Sequence, residues 1–173
     1  MGKRSDFARR PMDNYPTIDP NAVTPLAPFL AGIHRFAEPC AGDGHLIRHL
    51  GAAGLTCVYA GDIVDGKNAL DQHDFNDPDA IITNPPWTRE ILHRMIKHFQ
   101  SIAPTWLLFD ASWPNTKQSA PYMDQCSHIV AVGRLRWIEG TPHKGKDDCC
   151  WYRFDVNHTG GPRFVGWQMA VAA

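Results

Sequence analysis

The 173-residue chain has no apolar run approaching the roughly eighteen residues that a bilayer span needs, and its start, Met1-Gly2-Lys3-Arg4-Ser5-Asp6, leads into no signal-peptide core. A membrane partner is excluded on this reading, and a soluble, cytoplasmic protein is the expectation. Charge of one sign is also lacking: 17 Lys and Arg face 18 Asp and Glu, for a net charge of -1 and a pI near 6.7. That balance excludes the uniformly basic surface of a protein that coats nucleic acid, so any such contact must come from a local patch. Paired cysteines are missing as well. The five sit singly at Cys40, Cys57 and Cys126 or adjacent at Cys149-Cys150, without zinc-finger spacing, and the nine histidines are scattered, so no metal is expected. There is no internal repeat, and the length leaves no room for two ordinary domains.

What is present is organised around short apolar runs. Residues 1–14 carry Lys3, Arg4, Arg9 and Arg10 against Asp6 and Asp13, lack periodicity, and read as a flexible basic arm or a plain solvated tail. A proline-punctuated stretch over 15–28 and one or two helical turns over 29–32 follow. Strands are expected at 33–38, 56–61, 80–83, 106–111, 129–135, 149–156 and 163–170. Helices are expected at 45–50, at 88–100 with Ile91, Leu92, Met95, Ile96 and Phe99 on one face, and near 116–126. Strands alternating with helices imply a parallel sheet covered on both faces. The last two strands, joined around Gly160-Gly161-Pro162, imply an antiparallel terminal hairpin. The expected fold is therefore α/β: a Rossmann-like, seven-stranded mixed sheet within a single domain over 15–173.

Two segments carry chemistry. In Phe36-Ala37-Glu38-Pro39-Cys40-Ala41-Gly42-Asp43-Gly44-His45, a glycine turn joins a strand to a helix, so Gly42 and Gly44 let backbone approach a ligand near free helix N–H groups. About twenty residues later, Asp62 ends the second strand, where a carboxylate can accept from ribose hydroxyls, and Ile63 can pack on an adenine face. Asp74, followed by Phe75, offers a second carboxylate and a ring for the same base, or else a turn cap. In the second segment, the apolar run 80–83 enters Asn84-Pro85-Pro86-Trp87 at the strand edge where open α/β sheets bind ligands. The prolines stiffen the loop and remove donors. The Asn84 side-chain oxygen and the Pro85 carbonyl can grip the hydrogens of a planar amine, whose lone pair is otherwise delocalised, while Trp87 stacks on a base extruded from its helix.

With these motifs the chain resembles class I S-adenosylmethionine (SAM)-dependent amino-methyltransferases, especially DNA adenine-N6 enzymes. Within them it is similar to the small phage and prophage type, from Asp13-Asn14-Tyr15-Pro16-Thr17 to Pro162-Arg163-Phe164-Val165-Gly166-Trp167. The resemblance implies a seven-stranded sheet with a reversed last strand, SAM at the first strand ends, and a methyl donor facing Asn84. It also implies Tyr15 and Thr17 over the methionine part of SAM, with Glu38, Pro39 and Asp43 close to it. A target-recognition domain is absent from this length, so recognition falls to loops, a partner protein or an oligomer. Candidate nucleic-acid contacts are Trp113 and Lys117 in 113–117 and Lys144 and Lys146 in 140–146, loops that serve equally as ordinary solvated turns.

The leading expectation is methyl transfer to adenine N6 in DNA, in a bacterial or phage-infected cell. RNA adenine, cytosine N4 and a protein glutamine amide present the same NH₂ to the same acceptors. Cytosine-C5 chemistry is disfavoured because it needs a cysteine nucleophile and the 84–87 loop holds none. A module that binds SAM or DNA without turnover is the alternative of another class.

Overall fold

A computed structural model of the chain describes residues 15–167. The basic arm expected over 1–14 and the last three residues of the strand expected over 163–170 lie outside the described residues. The apolar runs form β1 (Arg35–Glu38), β2 (Thr56–Ala60), β3 (Ala80–Thr83), β4 (Thr105–Asp110), β5 (Cys126–Gly133), β6 (Cys149–Phe154) and β7 (Arg163–Val165). They make one mixed seven-stranded sheet in the order β2-β1-β3-β4-β6-β5-β7. All of β3 and all but the last residue of β4 are buried, as strands covered on both faces must be.

Helix α1 (His45–Ala52) sets Leu46 and Leu50, one turn apart, on the face that holds Phe36, Ile82 and Trp106. The proline-punctuated N-terminal segment packs there too, through Ala22, Val23, Leu26 and Leu30. Helix α2 (Arg89–Gln100) covers the other face with Leu92, Met95, Ile96 and Phe99, against Ile81, Leu107 and Phe109. Glu90 in its first turn and Lys97 and His98 in its last complement the helix dipole. The helix expected near 116–126 shrinks to one 3-10 turn (Lys117–Ser119) and the single-turn α3 (Ala120–Met123). Pro121 sits at the start of α3, where its missing N–H is harmless, and it cannot extend a helix arriving from upstream.

The antiparallel hairpin lies one strand earlier than expected. β6 pairs antiparallel with β5 through the 134–148 loop, and with β4 on its other side, whereas β7 pairs parallel with β5. Gly160-Gly161-Pro162 looks like a tight turn, but Asp124 takes up both glycine N–H groups, through Oδ1 at 2.9 Å and its carbonyl at 3.2 Å. That anchoring turns the segment into a wider return to the sheet edge.

Winding reverses between β1 and β3. β1 leads through α1 outward to β2, and β3 leads through α2 to β4 on the opposite side. The carboxyl ends of β1 and β3 therefore border the crevice where ligands bind in open α/β sheets.

Of the pair Asp74 and Phe75, the ring is not open to a ligand. Asp74 Oδ1 caps a turn by accepting from the Asn76 N–H (2.8 Å). Asn76 in turn accepts through its carbonyl from Arg35 Nη2 (2.6 Å) and donates through Nδ2 to the Val58 carbonyl in β2 (2.7 Å). Phe75 is core: its ring meets Tyr59 edge-on at 4.8 Å and Phe99 at 6.0 Å, so neither face is open for a base. The reading of Phe75 as an open ring for a base is corrected to a core aromatic, while Asp74, exposed, caps a turn. Phe75→Ala is expected to lower the unfolding free energy by about 3–5 kcal/mol, read as a shift of the urea midpoint at constant m-value. A near-neutral result would place the ring at the surface.

Candidate active site

After β1 the chain turns at once. Pro39 is buried, and Gly42 (φ +47°) and Gly44 (φ +73°) take left-handed conformations that other residues resist, which brings the chain round into α1. This turn is tied to the end of β2: Ala41 N–H donates to the Gly61 carbonyl (2.8 Å), and Gly42 N–H to Asp62 Oδ2 (2.8 Å). The other carboxylate oxygen of Asp62 accepts from Val64 N–H (3.0 Å). Asp62 is thus the staple between the two loops, and each of its oxygens keeps a second lone pair for a ligand. Beside it, Ile63 and Val64 stand 53% and 58% exposed, an uncovered apolar pair at the crevice rim. Asp43 is exposed at the tip of the turn, with its carbonyl accepting from Arg48 Nη1.

Glu38 joins this turn to the loop over 84–87. It is 1% exposed, its Oε1 accepts from Thr83 Oγ1 (3.2 Å) and from the Asn84 backbone N–H, and its Oε2 is buried without a partner among the described residues. Burial drives its carboxyl well above the ordinary range, the bonds from Thr83 and Asn84 only partly oppose that, and the charge of Asp62 adds to it. An orphaned, buried carboxylate oxygen suits a cationic ligand group. Burial, helped by Glu38, also pushes the neighbouring Cys40 thiol up to about 12, so no thiolate nucleophile is available there.

Asn84 follows β3 on the same rim. Its Nδ2 donates to the Tyr15 carbonyl (3.0 Å) and to Thr17 Oγ1 (3.1 Å), and its Oδ1 accepts from Trp87 Nε1 (3.1 Å). A carbonyl only accepts and an indole N–H only donates, so the amide cannot be flipped without setting like against like. Both hydrogens are used, and what remains for a ligand is the second lone pair of Oδ1. The Pro85 carbonyl carries no hydrogen bond among the described residues. Thr17, expected over the cofactor, is buried with its hydroxyl oxygen committed to Asn84.

In front of this loop lies a cavity of about 650 Å³, lined by Tyr15, Asn84, Trp87, Arg89, Asp110 and the 137–147 segment. Trp87 and Trp137 meet there at right angles, 6.0 Å between centroids. Arg89 Nη2 pairs with Asp110 Oδ2 at 2.8 Å. Burial opposes the charge on Asp110, but hydrogen bonds from Ser112 and Arg89 outweigh it and hold the carboxyl below its ordinary value. Lys144 and Lys146 line the cavity. Trp113 does not: it is 0% exposed and packs on Phe109, Tyr152 and Phe154. It is corrected to a core residue, its ring drawn under the sheet by the aromatic cluster. Lys117, in the same segment, is exposed and outside the cavity lining.

Trp137, Arg89 and Asp110 escaped sequence reasoning. Asp110 could have been found, since it ends a strand at the ligand edge; Trp137 depends on the fold of the 134–148 loop. Among the described residues no group of three or more His, Cys, Asp or Glu side chains could hold a metal ion, and no helix is long and apolar enough to cross a membrane.

Comparison with known proteins bears on the fold. No family model matches the chain, and no curated protein does. Among solved structures it is similar to a Listeria monocytogenes protein assigned as a class I S-adenosylmethionine-dependent methyltransferase: 9% identity, TM-score 0.61, 92% of this chain and 68% of that one covered. It is also similar to a Pyrococcus horikoshii protein assigned as an RNA methyltransferase: 13% identity, TM-score 0.53, with 75% and 79% covered. The α/β sheet is of the class I methyltransferase kind, and at these identities the likeness is one of fold.

The raised carboxyl of Glu38 has a consequence for stability. Below its ordinary value both folded and unfolded chains hold the proton; above it the unfolded chain releases the proton while the fold retains it, so stability is lost as pH rises toward and through the folded value. Wild type is expected to lose stability relative to Glu38→Gln from about pH 4.5 upward, measured by urea unfolding across a pH series. Parallel curves would mean that Glu38 is solvated.

Proposed function

We propose that the protein transfers a methyl group from S-adenosylmethionine to an exocyclic amino nitrogen, with adenine N6 in DNA as the leading acceptor. The observation that carries this is the Asn84 amide, locked so that it offers a ligand only an acceptor, next to the open Pro85 carbonyl at the reversal point of the sheet. Two acceptors side by side fit the two hydrogens of an NH₂ group. Gripping both favours a pyramidal nitrogen whose lone pair is free to attack.

The residues of the crevice fit the cofactor. Glu38 Oε2 awaits positive charge, the Gly42–Gly44 turn lets backbone approach, Asp62 keeps lone pairs for hydroxyls, and Ile63 and Val64 offer an apolar face for an adenine. S-adenosylmethionine, when bound, supplies a methyl carbon made electrophilic by a sulfonium. Every other part of the reaction falls to the chain: Asn84 and Pro85 orient the amine, Trp87 stacks on the acceptor ring, and Lys144 and Lys146 sit where the phosphates of an extruded nucleotide would pass. No covalent enzyme intermediate is needed, in keeping with the protonated Cys40.

DNA is our leading acceptor because the Asn-Pro-Pro-aromatic order resembles adenine-N6 enzymes. RNA adenine, cytosine N4 and a glutamine amide share the NH₂ geometry, and one structural neighbour carries an RNA methyltransferase assignment. Recognition of the acceptor falls to the 134–148 loop, with a partner or a second copy as further sources. Radiolabelled SAM incubated with the purified protein and, separately, unmethylated DNA, RNA and total protein should label N6-methyladenine in DNA; label in another pool reassigns the acceptor, and no label in any pool points to a binding module. Asn84→Ala should reduce transfer by about a hundredfold or more with SAM affinity unchanged by calorimetry. Asp62→Ala should weaken SAM binding; the reverse pattern would mean that the two sites have been exchanged. Because an ionised Glu38 favours a cation, SAM affinity should rise with pH above the ordinary carboxyl range and become flat in Glu38→Gln.

A further inference from the structure

The N-terminal segment does more than cover a face of the sheet. Residues 15–22 run as a strap past the catalytic loop, and they are tied down at three places. The Ile18 carbonyl lies 3.2 Å from His49 Nε2 on α1. The buried Asp19 carboxylate accepts from the Arg136 backbone N–H at 3.1 Å and from both nitrogens of Asn21. The Ala22 carbonyl accepts from Trp151 Nε1, within β6, at 2.7 Å. A strap held this way is a fixed frame of reference for whatever it touches.

We infer that Thr17 is a positioning residue for the transfer: through its hydroxyl oxygen, and alongside the Tyr15 carbonyl, it holds the Asn84 amide nitrogen away from the acceptor so that only the oxygen faces the amine. This rests on the reading of Asn84 as the grip on that amine. Thr17 is not itself part of the cavity lining; its side-chain hydrogen bond is to Asn84, which is. The polarity of the partners supports the role. The Tyr15 carbonyl uses one Nδ2 hydrogen and Thr17 the other, while Trp87 donates to the oxygen. Remove the Thr17 acceptor and one hydrogen of Nδ2 is released, so the amide can present a donor to a substrate group that is itself a donor, and the grip weakens. Asp19 supports the same geometry at one remove, since it seats the strap on the residue preceding Trp137.

Thr17→Val keeps the branched shape and removes the acceptor. In the full-length chain it should lower kcat by about ten- to a hundredfold with SAM affinity unchanged, and Thr17→Ser should restore the rate. A second reading needs no turnover: in ¹⁵N-labelled protein, the two Asn84 side-chain protons should exchange slowly with solvent in wild type and Thr17→Ser, and one of them should exchange faster in Thr17→Val. Weakened SAM binding with unchanged kcat would overturn the inference in favour of a cofactor contact. Asn84 protons indifferent to Thr17→Val would overturn the clasp itself. A wild-type protein that labels no acceptor while its Asn84 protons respond as described would overturn the methyl-transfer reading, and with it the role in transfer, while leaving the clasp in place.

Discussion

A primary amide has two ends of nearly equal shape and opposite hydrogen-bonding sense, and the candidate site depends on which way one such amide is turned. At Asn84 the choice is made by partners whose polarity cannot change: a main-chain carbonyl and a hydroxyl oxygen on the nitrogen side, an indole N–H on the oxygen side. Those partners come from the strap over 15–22 and from the loop that follows β3, so orienting one side chain requires two distant stretches of chain to be in register. The prolines contribute by removing donors that would otherwise compete for the same acceptors.

Around this amide, two carboxylates divide the work according to their surroundings. Asp62 spends its oxygens on backbone N–H groups and shapes the junction between the glycine turn and β2. Glu38, one strand over, is buried with one oxygen unanswered among the described residues, the state in which a carboxyl resists ionisation until a positive group arrives. The pair bridges the two halves of the sheet at the point where its winding reverses, because Glu38 ends β1 while its hydrogen-bond donors, Thr83 and Asn84, lie at the end of β3. A charged ligand at that point would reach both loops at once.

The cavity in front of the loop is walled by a segment far along the chain. Its far side is the 134–148 loop, which exists because β6 is inserted antiparallel between β4 and β5 and the hairpin between β5 and β6 overhangs the carboxyl edge. Asp19 ties that loop back to the strap, so the wall and the amide share one frame.

Much of this was legible in the residues. Apolar runs of four to eight with turn signals between them determine where strands form, and the i, i+3, i+4, i+7 face of Leu92, Met95, Ile96 and Phe99 determines α2, because local periodicity decides which side can be buried. The glycine turn after Glu38 and the stiff Asn84-Pro85-Pro86-Trp87 loop were legible for the same reason: their geometry is set by backbone constraints that travel with the residue type. What tertiary structure alone decided depends on partners far away in the chain. Trp113 and Phe75 were aromatic residues beside polar ones, indistinguishable from binding residues until the sheet drew them inside. The Gly160-Gly161 turn promised a hairpin until Asp124 claimed its N–H groups, and Thr17 became a partner of Asn84 across 67 residues of sequence. Burial and hydrogen-bond pairing are properties of the packed chain, and no local pattern encodes which of two acceptors a distant amide will meet.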